Sequence, residues 1–433
     1  MQTKHYLLGS LLALVGMVSC GDSNDNVKIP DDPNGGKDEP TEEPTEEPIT
    51  VVDLSEPGMA NCYIVQAPGV YKFKADNQFN LGEGLPVPHE ISPVSASLVW
   101  QSGKDLISNI SLDTEGEAPY IQFEVTQAEG NALIAALDSN GEIAWSWHIW
   151  MPVEDITSIP STMGYDLMNL NLGAMHNDPK DAGCYGMLYQ WGRKDPFPAS
   201  ATMTGDTNTL SAPMYDIDNE EVKLTYSSWT DNSNNTIAYS ISHPMEVLSN
   251  YSQMATSVDW LKAEYSDDSL WGNPNGNEKD EAGLIVNKGR KTCYDPSPYG
   301  WKVPASDVFL KFTSYGGYSW ELKNFNIADS NGDGEADMDD YNYGWWFMVN
   351  DTESLFFPAA SRFDGSYAML MGSMSGLWGN YWSNTPAADM AGGAFSPLAF
   401  QVKDMMGNDA VSVSSAATAP RANAFSIKCV RDN

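Results

Sequence analysis

Between residues 51 and 152 apolar side chains alternate with polar ones over short stretches, and turn-forming residues separate the stretches. Residues 62–65, 70–73, 97–100, 107–110 and 120–125 each read as a strand. Leu133 to Leu137 and Ile143 to Trp150 flank Asp138-Ser-Asn-Gly141, a strong hairpin signal. Along the last strand Ile143, Trp145, Trp147 and Ile149 share one face, which leaves Ser146 and His148 on the other, outer face. Pro152 closes the unit. The pattern predicts an all-β, immunoglobulin-like sandwich over 51–152.

From residue 153 the texture changes. Gly, Asn, Asp and Ser are dense, aromatic residues are frequent, and helical periodicity is scarce. Val258 to Tyr265 and Asp307 to Thr313 are the best helical stretches, with Ser257 and Ser306 as their caps. Residues 153–433 therefore read as an α+β domain with long irregular segments pinned by buried aromatics.

The opening of the chain has a different pattern again. Lys4 and His5 precede an apolar run from Leu7 to Val18, too short to span a bilayer comfortably, and Ser19 supplies the small residue before Cys20. This predicts a lipoprotein signal peptide over 1–19, with Cys20 acylated and the chain held to a membrane through its lipid. Residues 20–50 follow as a tether rich in proline and acid, with Thr-Glu-Glu-Pro repeated at 41–44 and 45–48. Such a segment buries too little surface to order itself, and its prolines and charges keep it extended. Asp22 and Asp25, soon after the cysteine, resemble the surface-export signal of Bacteroidetes lipoproteins, which implies display on the outer face of an outer membrane.

Charge narrows the partners. With 59 acidic against 23 basic residues the net charge is −36, and no basic stripe relieves it, which argues against nucleic-acid binding. Beyond Cys20 the cysteines are Cys62, Cys184, Cys293 and Cys429, an even number that allows three pairings into two disulfides. No CxxC, HExxH, phosphate loop or Ser-His-Asp motif is present, and His89, His176 and His243 are scattered, so no catalytic residues are assigned.

The sharpest chemical signal is Asp329-Ser-Asn-Gly-Asp-Gly-Glu-Ala-Asp-Met-Asp-Asp340. Asp329, Asn331 and Asp333 occupy positions 1, 3 and 5 of a calcium loop, Gly334 the turn at 6, and the carbonyl of Glu335 position 7. Asp337 falls at position 9 and Asp340 at 12, so Ca2+ in a structural role is expected over 329–340. The adjoining Tyr343, Trp345 and Trp346 are candidates for a glycan-stacking surface; on a strand the two tryptophans must point opposite ways.

A series of blocks carries a family resemblance. In order they are Asn169-Leu-Asn-Leu-Gly-Ala174, residues 186–197, Tyr294-Asp-Pro-Ser-Pro-Tyr-Gly-Trp-Lys-Val-Pro304, Phe357-Pro-Ala-Ala-Ser-Arg362, Tyr381-Trp-Ser-Asn-Thr-Pro386, and residues 421–431. Together they resemble the Fibrobacter succinogenes major paralogous domain of Bacteroidetes surface lipoproteins. Residues 60–65 and 145–150 resemble the domain that precedes it. The resemblance implies a C-type-lectin-like domain, related to the formylglycine-generating-enzyme fold, whose first and last strands pair. It brings no catalytic site. The family usually has a cysteine where this chain has Ser297, paired with one near the C-terminus, so the bridge implied here would join Cys293 to Cys429. Trp191, Trp301 and Trp382 within the blocks read as core.

The functional expectation is a non-catalytic surface lipoprotein for binding or adhesion, to glycan or as a fimbria-associated component. A surface glycan-degrading hydrolase and a structural filament subunit are the alternatives.

Overall fold

The computed structural model describes residues 50–433, except 206–209, 228–232, 250–258, 282–283 and 367–368. Cys20, the signal segment and the tether up to residue 49 lie outside the described residues.

The alternation after residue 50 becomes eight strands: β1 (Val51–Asp53), β2 (Cys62–Ile64), β3 (Gly69–Lys74), β4 (Ser95–Gln101), β5 (Ile107–Asp113), β6 (Tyr120–Val125), β7 (Gly130–Leu137) and β8 (Ile143–Met151). They form two sheets, in the orders β1-β3-β6-β5 and β4-β7-β8-β2, with β1 parallel to β3 and β2 parallel to β8. Ile121, Phe123 and Val125 of β6 are buried, and the Phe73 and Trp147 rings meet at 5.1 Å across the two sheets. The β7–β8 hairpin turns where Gly141 takes φ +81°, while the Asp138 carboxylate accepts the N–H groups of Asn140 (2.8 Å) and Glu142 (3.0 Å).

This sandwich is continuous with the rest of the chain. Met214–Tyr215 and Glu221–Val222 extend the second sheet to six strands through the pairing of Tyr215 with Gln101. One apolar core runs from Cys62 to Cys429, and Ile49–Asn433 form one unit. β8 is consequently buried on both faces, and the expectation that Ser146 and His148 look outward is corrected. Ser146 Oγ donates to Asp195 (2.6 Å), and the Lys194 ammonium donates to the Ser146 carbonyl (3.0 Å). His148 Nε2 lies 2.8 Å from Asn131 Oδ1, and burial pushes the imidazole pKa down to about 3, which keeps it neutral.

Beyond residue 152 the structure is also mainly β. Its strands include β9 (Ser158–Pro160), β10 (Asp166–Met168) and β11 (Met187–Gln190). The only α-helix among the described residues is α1 (Ile237–Ser242), capped by the Thr236 hydroxyl, which accepts the Tyr239 N–H at 3.1 Å. The two expected helices are single 3₁₀ turns, Ala263–Tyr265 and Leu310–Phe312, and Ser257 lies outside the described residues. In the second case the reason is packing. Phe309 and Phe312, three residues apart, superpose along a 3₁₀ turn with ring centroids 5.0 Å apart, and Phe312 stacks on Phe347 at 4.5 Å.

The later strands include β12 (Trp301–Lys302), β13 (Tyr318–Ser319), β14 (Gly344–Met348), β15 (Ser354–Pro358), β16 (Trp378–Tyr381), β17 (Leu398–Lys403), β18 (Asp409–Ser414), β19 (Ala424–Phe425) and β20 (Val430–Arg431). β20 lies between β10 and β12, with Val430 opposite both Leu167 and Lys302, so an early and a late strand of this part pair. Trp191, Trp301 and Trp382 are buried, and the indole N–H groups of Trp191 and Trp382 donate to the carbonyls of Ser383 and Tyr189, each at 2.8 Å. Asn61 joins the sandwich to the later segments. Its amide donates to the carbonyls of Cys293 (2.6 Å) and Asp295 (2.9 Å), and its oxygen accepts the Trp145 N–H (3.0 Å).

Candidate ligand-binding site

In the acidic loop the side chains turn onto the loop's own backbone. Asp329 accepts the N–H groups of Gly332 (2.6 Å) and Gly334 (2.9 Å), Asn331 that of Asp333 (2.8 Å), and Asp333 that of Glu335 (3.0 Å). Gly334 makes the turn at φ +98°. Asp340 is buried: one oxygen accepts from Ser330 (2.6 Å) and Asn331 (3.0 Å), the other from Asp337 (2.9 Å). Burial pushes the Asp340 carboxyl up, but these three N–H groups and the Ser330 hydroxyl outweigh it and hold the pKa below the usual carboxylate value. Among the described residues no three His, Cys, Asp or Glu side chains are gathered as a metal site. The donor set of carboxylate, amide and carbonyl oxygens is nonetheless the chemistry a hard cation requires.

The neighbouring aromatics do not form one face. β14 pairs with β15 along its whole length, so successive side chains alternate. Trp345 is fully buried against Tyr341 (4.8 Å) and Phe325 (6.3 Å), whereas Trp346 is half-buried on the Phe356 ring at 5.3 Å. A stacking surface that includes Trp345 is therefore corrected. The implied Cys293–Cys429 bridge is corrected too, because both are free, buried thiols. Cys429 Sγ donates to Ser297 Oγ at 3.3 Å, and Cys293 Sγ faces the Pro86 carbonyl at 3.7 Å.

A surface that the sequence did not announce lies on the sheet β13-β18-β17-β16. Its register sorts the side chains cleanly. Ser319, Val413, Phe400 and Gly379 form a row across the four strands, and Val413 and Phe400 belong to the second apolar core. A β-carbon at Gly379 would meet the Phe400 ring at 2.2 Å, so only glycine fits there. The opposite face carries two rows: Tyr318, Ser414, Ala399 and Asn380, then Ser412, Gln401 and Trp378. Amides, hydroxyls and two aromatic rings thus share one face and line a cleft of about 280 Å³, which Arg362 also lines.

Neighbouring segments fix this face. Trp378 is pinned by its indole N–H to the Lys403 carbonyl at 2.7 Å. The Arg362 guanidinium lies over the Trp378 ring, 5.0 Å from its centroid, and bonds Asp364 at 3.3 Å. At the rim, the run Tyr315-Gly-Gly-Tyr-Ser-Trp320 presents three aromatic side chains: Tyr315, Tyr318 and Trp320 are 61%, 55% and 70% exposed. The Tyr318 and Trp320 rings are 5.9 Å apart, and the Tyr315 hydroxyl donates to the Tyr318 carbonyl at 2.8 Å. Exposed rings grouped so closely are uncommon on a surface without a partner. No carboxylate is among the described residues that line the cleft. A larger cleft, about 640 Å³, contains Lys311, Asn324, Asn326 and Asn350, but the one aromatic among its described lining residues is the buried Phe325.

Tyr315-Gly-Gly-Tyr-Ser-Trp320 was the one sequence signal for this site, a Tyr/Gly/Ser/Trp mixture of the kind that makes adaptable binding loops. No family model, no curated protein and no solved structure matches the chain.

Proposed function

We propose that the protein is a non-catalytic, surface-displayed lipoprotein that binds extracellular glycan on the outer face of the sheet β13-β18-β17-β16. The observation that carries this is the union of exposed Tyr318 and Trp320 with the amides of Asn380 and Gln401 and the hydroxyls of Ser412 and Ser414. Aromatic faces cover the apolar C–H faces of sugars, and amides and hydroxyls match vicinal hydroxyl groups. The described lining offers no carboxylate pair of the kind that hydrolyses a glycosidic bond, which favours binding over hydrolysis. Acylation of Cys20 and the tether over 20–50 would hold this face away from an outer membrane.

Ca2+ enters the same reading as a structural ion. Asp329, Asn331, Asp333, Asp337 and Asp340, with the carbonyl of Glu335, would hold it, and it would neutralise the loop's crowded carboxylates. The test is a glycan-array and calorimetry screen of the full chain carrying Cys20→Ser, with and without calcium. Binding that Trp320→Ala weakens about tenfold is expected, in line with the loss of one aromatic platform. Failure to bind any glycan under either condition removes the reading.

A further inference from the structure

The charge of the cleft narrows what it can hold. Among its described lining residues Arg362 is the single charged group, and Asp364 accepts from it at 3.3 Å. Asp364 offsets the charge of the guanidinium, while the buried Arg362 Nε–H has no partner and is left for a neutral acceptor such as a sugar hydroxyl. The remaining polar lining is neutral: Asn380, Gln401, Ser412 and Ser414. Around it stands a chain of net charge −36. A carboxylated or sulfated sugar entering here would lose hydration and meet an anionic field, with only an already paired guanidinium to offset both. A neutral sugar meets neither cost, and its hydroxyls can both donate to and accept from the amides.

Size gives a second constraint. At about 280 Å³ the cleft is at the lower end of small-ligand sites, enough for one sugar ring but not for an oligosaccharide. Tyr318 is shared between the cleft wall and the exposed rim, where Trp320 lies next to it. A chain leaving the cleft would pass from Tyr318 to Trp320.

We propose that the sheet face recognises an uncharged glycan, with one neutral pyranose in the cleft and the adjoining residue stacked on Tyr318 and Trp320. This rests on the assignment of glycan binding to that face. The test is calorimetry of the full chain carrying Cys20→Ser with two oligosaccharide ladders of matched length, neutral hexose and uronate, at low and high sodium chloride. The neutral ladder is expected to bind with affinity unchanged by salt to within about twofold, and the uronate ladder at least about tenfold more weakly. Affinity should rise on going from one neutral residue to two, and Trp320→Ala should abolish that gain while leaving single-residue binding. Preference for the uronate ladder, weakened by salt and by Arg362→Gln, would overturn the neutral-sugar proposal and leave the site assignment standing. Binding of either ladder that Trp320→Ala and Asn380→Ala leave unchanged would overturn the site assignment itself, and so would binding of neither ladder.

Discussion

The thiol of Cys429 points at the hydroxyl of Ser297, 3.3 Å away, inside the fully buried centre of the fold. Cys62 sits beside this pair, bridged through its backbone to Pro298. Burial raises the pKa of every described thiol, to about 12 for Cys293 and Cys429. A thiol reagent near about pH 8 should therefore leave Cys62, Cys184, Cys293 and Cys429 untouched in the native protein and label all four after denaturation. Rapid native labelling of any one would contradict its placement.

The same geometry predicts that Ser297→Cys closes a bridge to Cys429. Oxidised Ser297→Cys should be more stable than its reduced form by about 2–4 kcal/mol, measured as a difference in urea midpoint. Equal midpoints would mean that the two side chains do not meet.

Lys428 is a buried cation held by neutral groups. Its ammonium donates to the carbonyls of Asn169 (3.0 Å) and Phe356 (3.1 Å) and lies over the Phe357 ring at 4.9 Å. Burial pushes its pKa down to about 7. The unfolded chain thus binds the proton more tightly between about pH 7 and 10, and stability should rise with pH across that window. Lys428→Met should flatten the rise in urea midpoint. Lys194, also lowered by burial, would leave a residual slope of the same sign.

Asn61 links the sandwich to the later segments through three buried hydrogen bonds. Asn61→Ala leaves two carbonyls and one indole N–H unpaired in the interior, at a cost of about 2–4 kcal/mol by chemical denaturation. A change under about 0.5 kcal/mol, the range of an ordinary surface substitution, would show that water replaces the amide.

Calcium should raise the melting temperature of the full chain, and Asp333→Ala, which removes the position-5 oxygen, should abolish or sharply reduce that shift. Asp333 is an exposed loop residue, so the variant's stability without calcium should match that of the parent. An identical calcium response in Asp333→Ala would exclude the loop as the site.

Alternation and short apolar runs made β2 to β8 legible, because each strand has a face that packs within the same hundred residues. It misled at Ser146, whose partner Asp195 lies more than forty residues on, and at His148, which bonds Asn131 on the neighbouring strand but is covered by Tyr189 from the later segments. A polar residue satisfied at such a distance looks like a solvent-facing one. The 3.6-residue pattern of 307–313 failed for a related reason, since Phe309 and Phe312 answer to rings on β14 and β15. The face proposed to bind a ligand was hidden most completely. Its rows draw on residues 318, 378–380, 399–401 and 412–414, each short and ordinary alone, and only the cross-strand register makes them one surface.

β20 also has a temporal meaning. Val430 closes against β10 and β12, and Phe425, Ile427 and Cys429 just before it are wholly enclosed. Because synthesis runs from the N-terminus, the strand that locks the centre of the fold leaves the ribosome after both of the strands it joins. Until then Leu167 and Trp301 have no strand between them, so the pairing that joins β10 to β12 is made only after both are already in place.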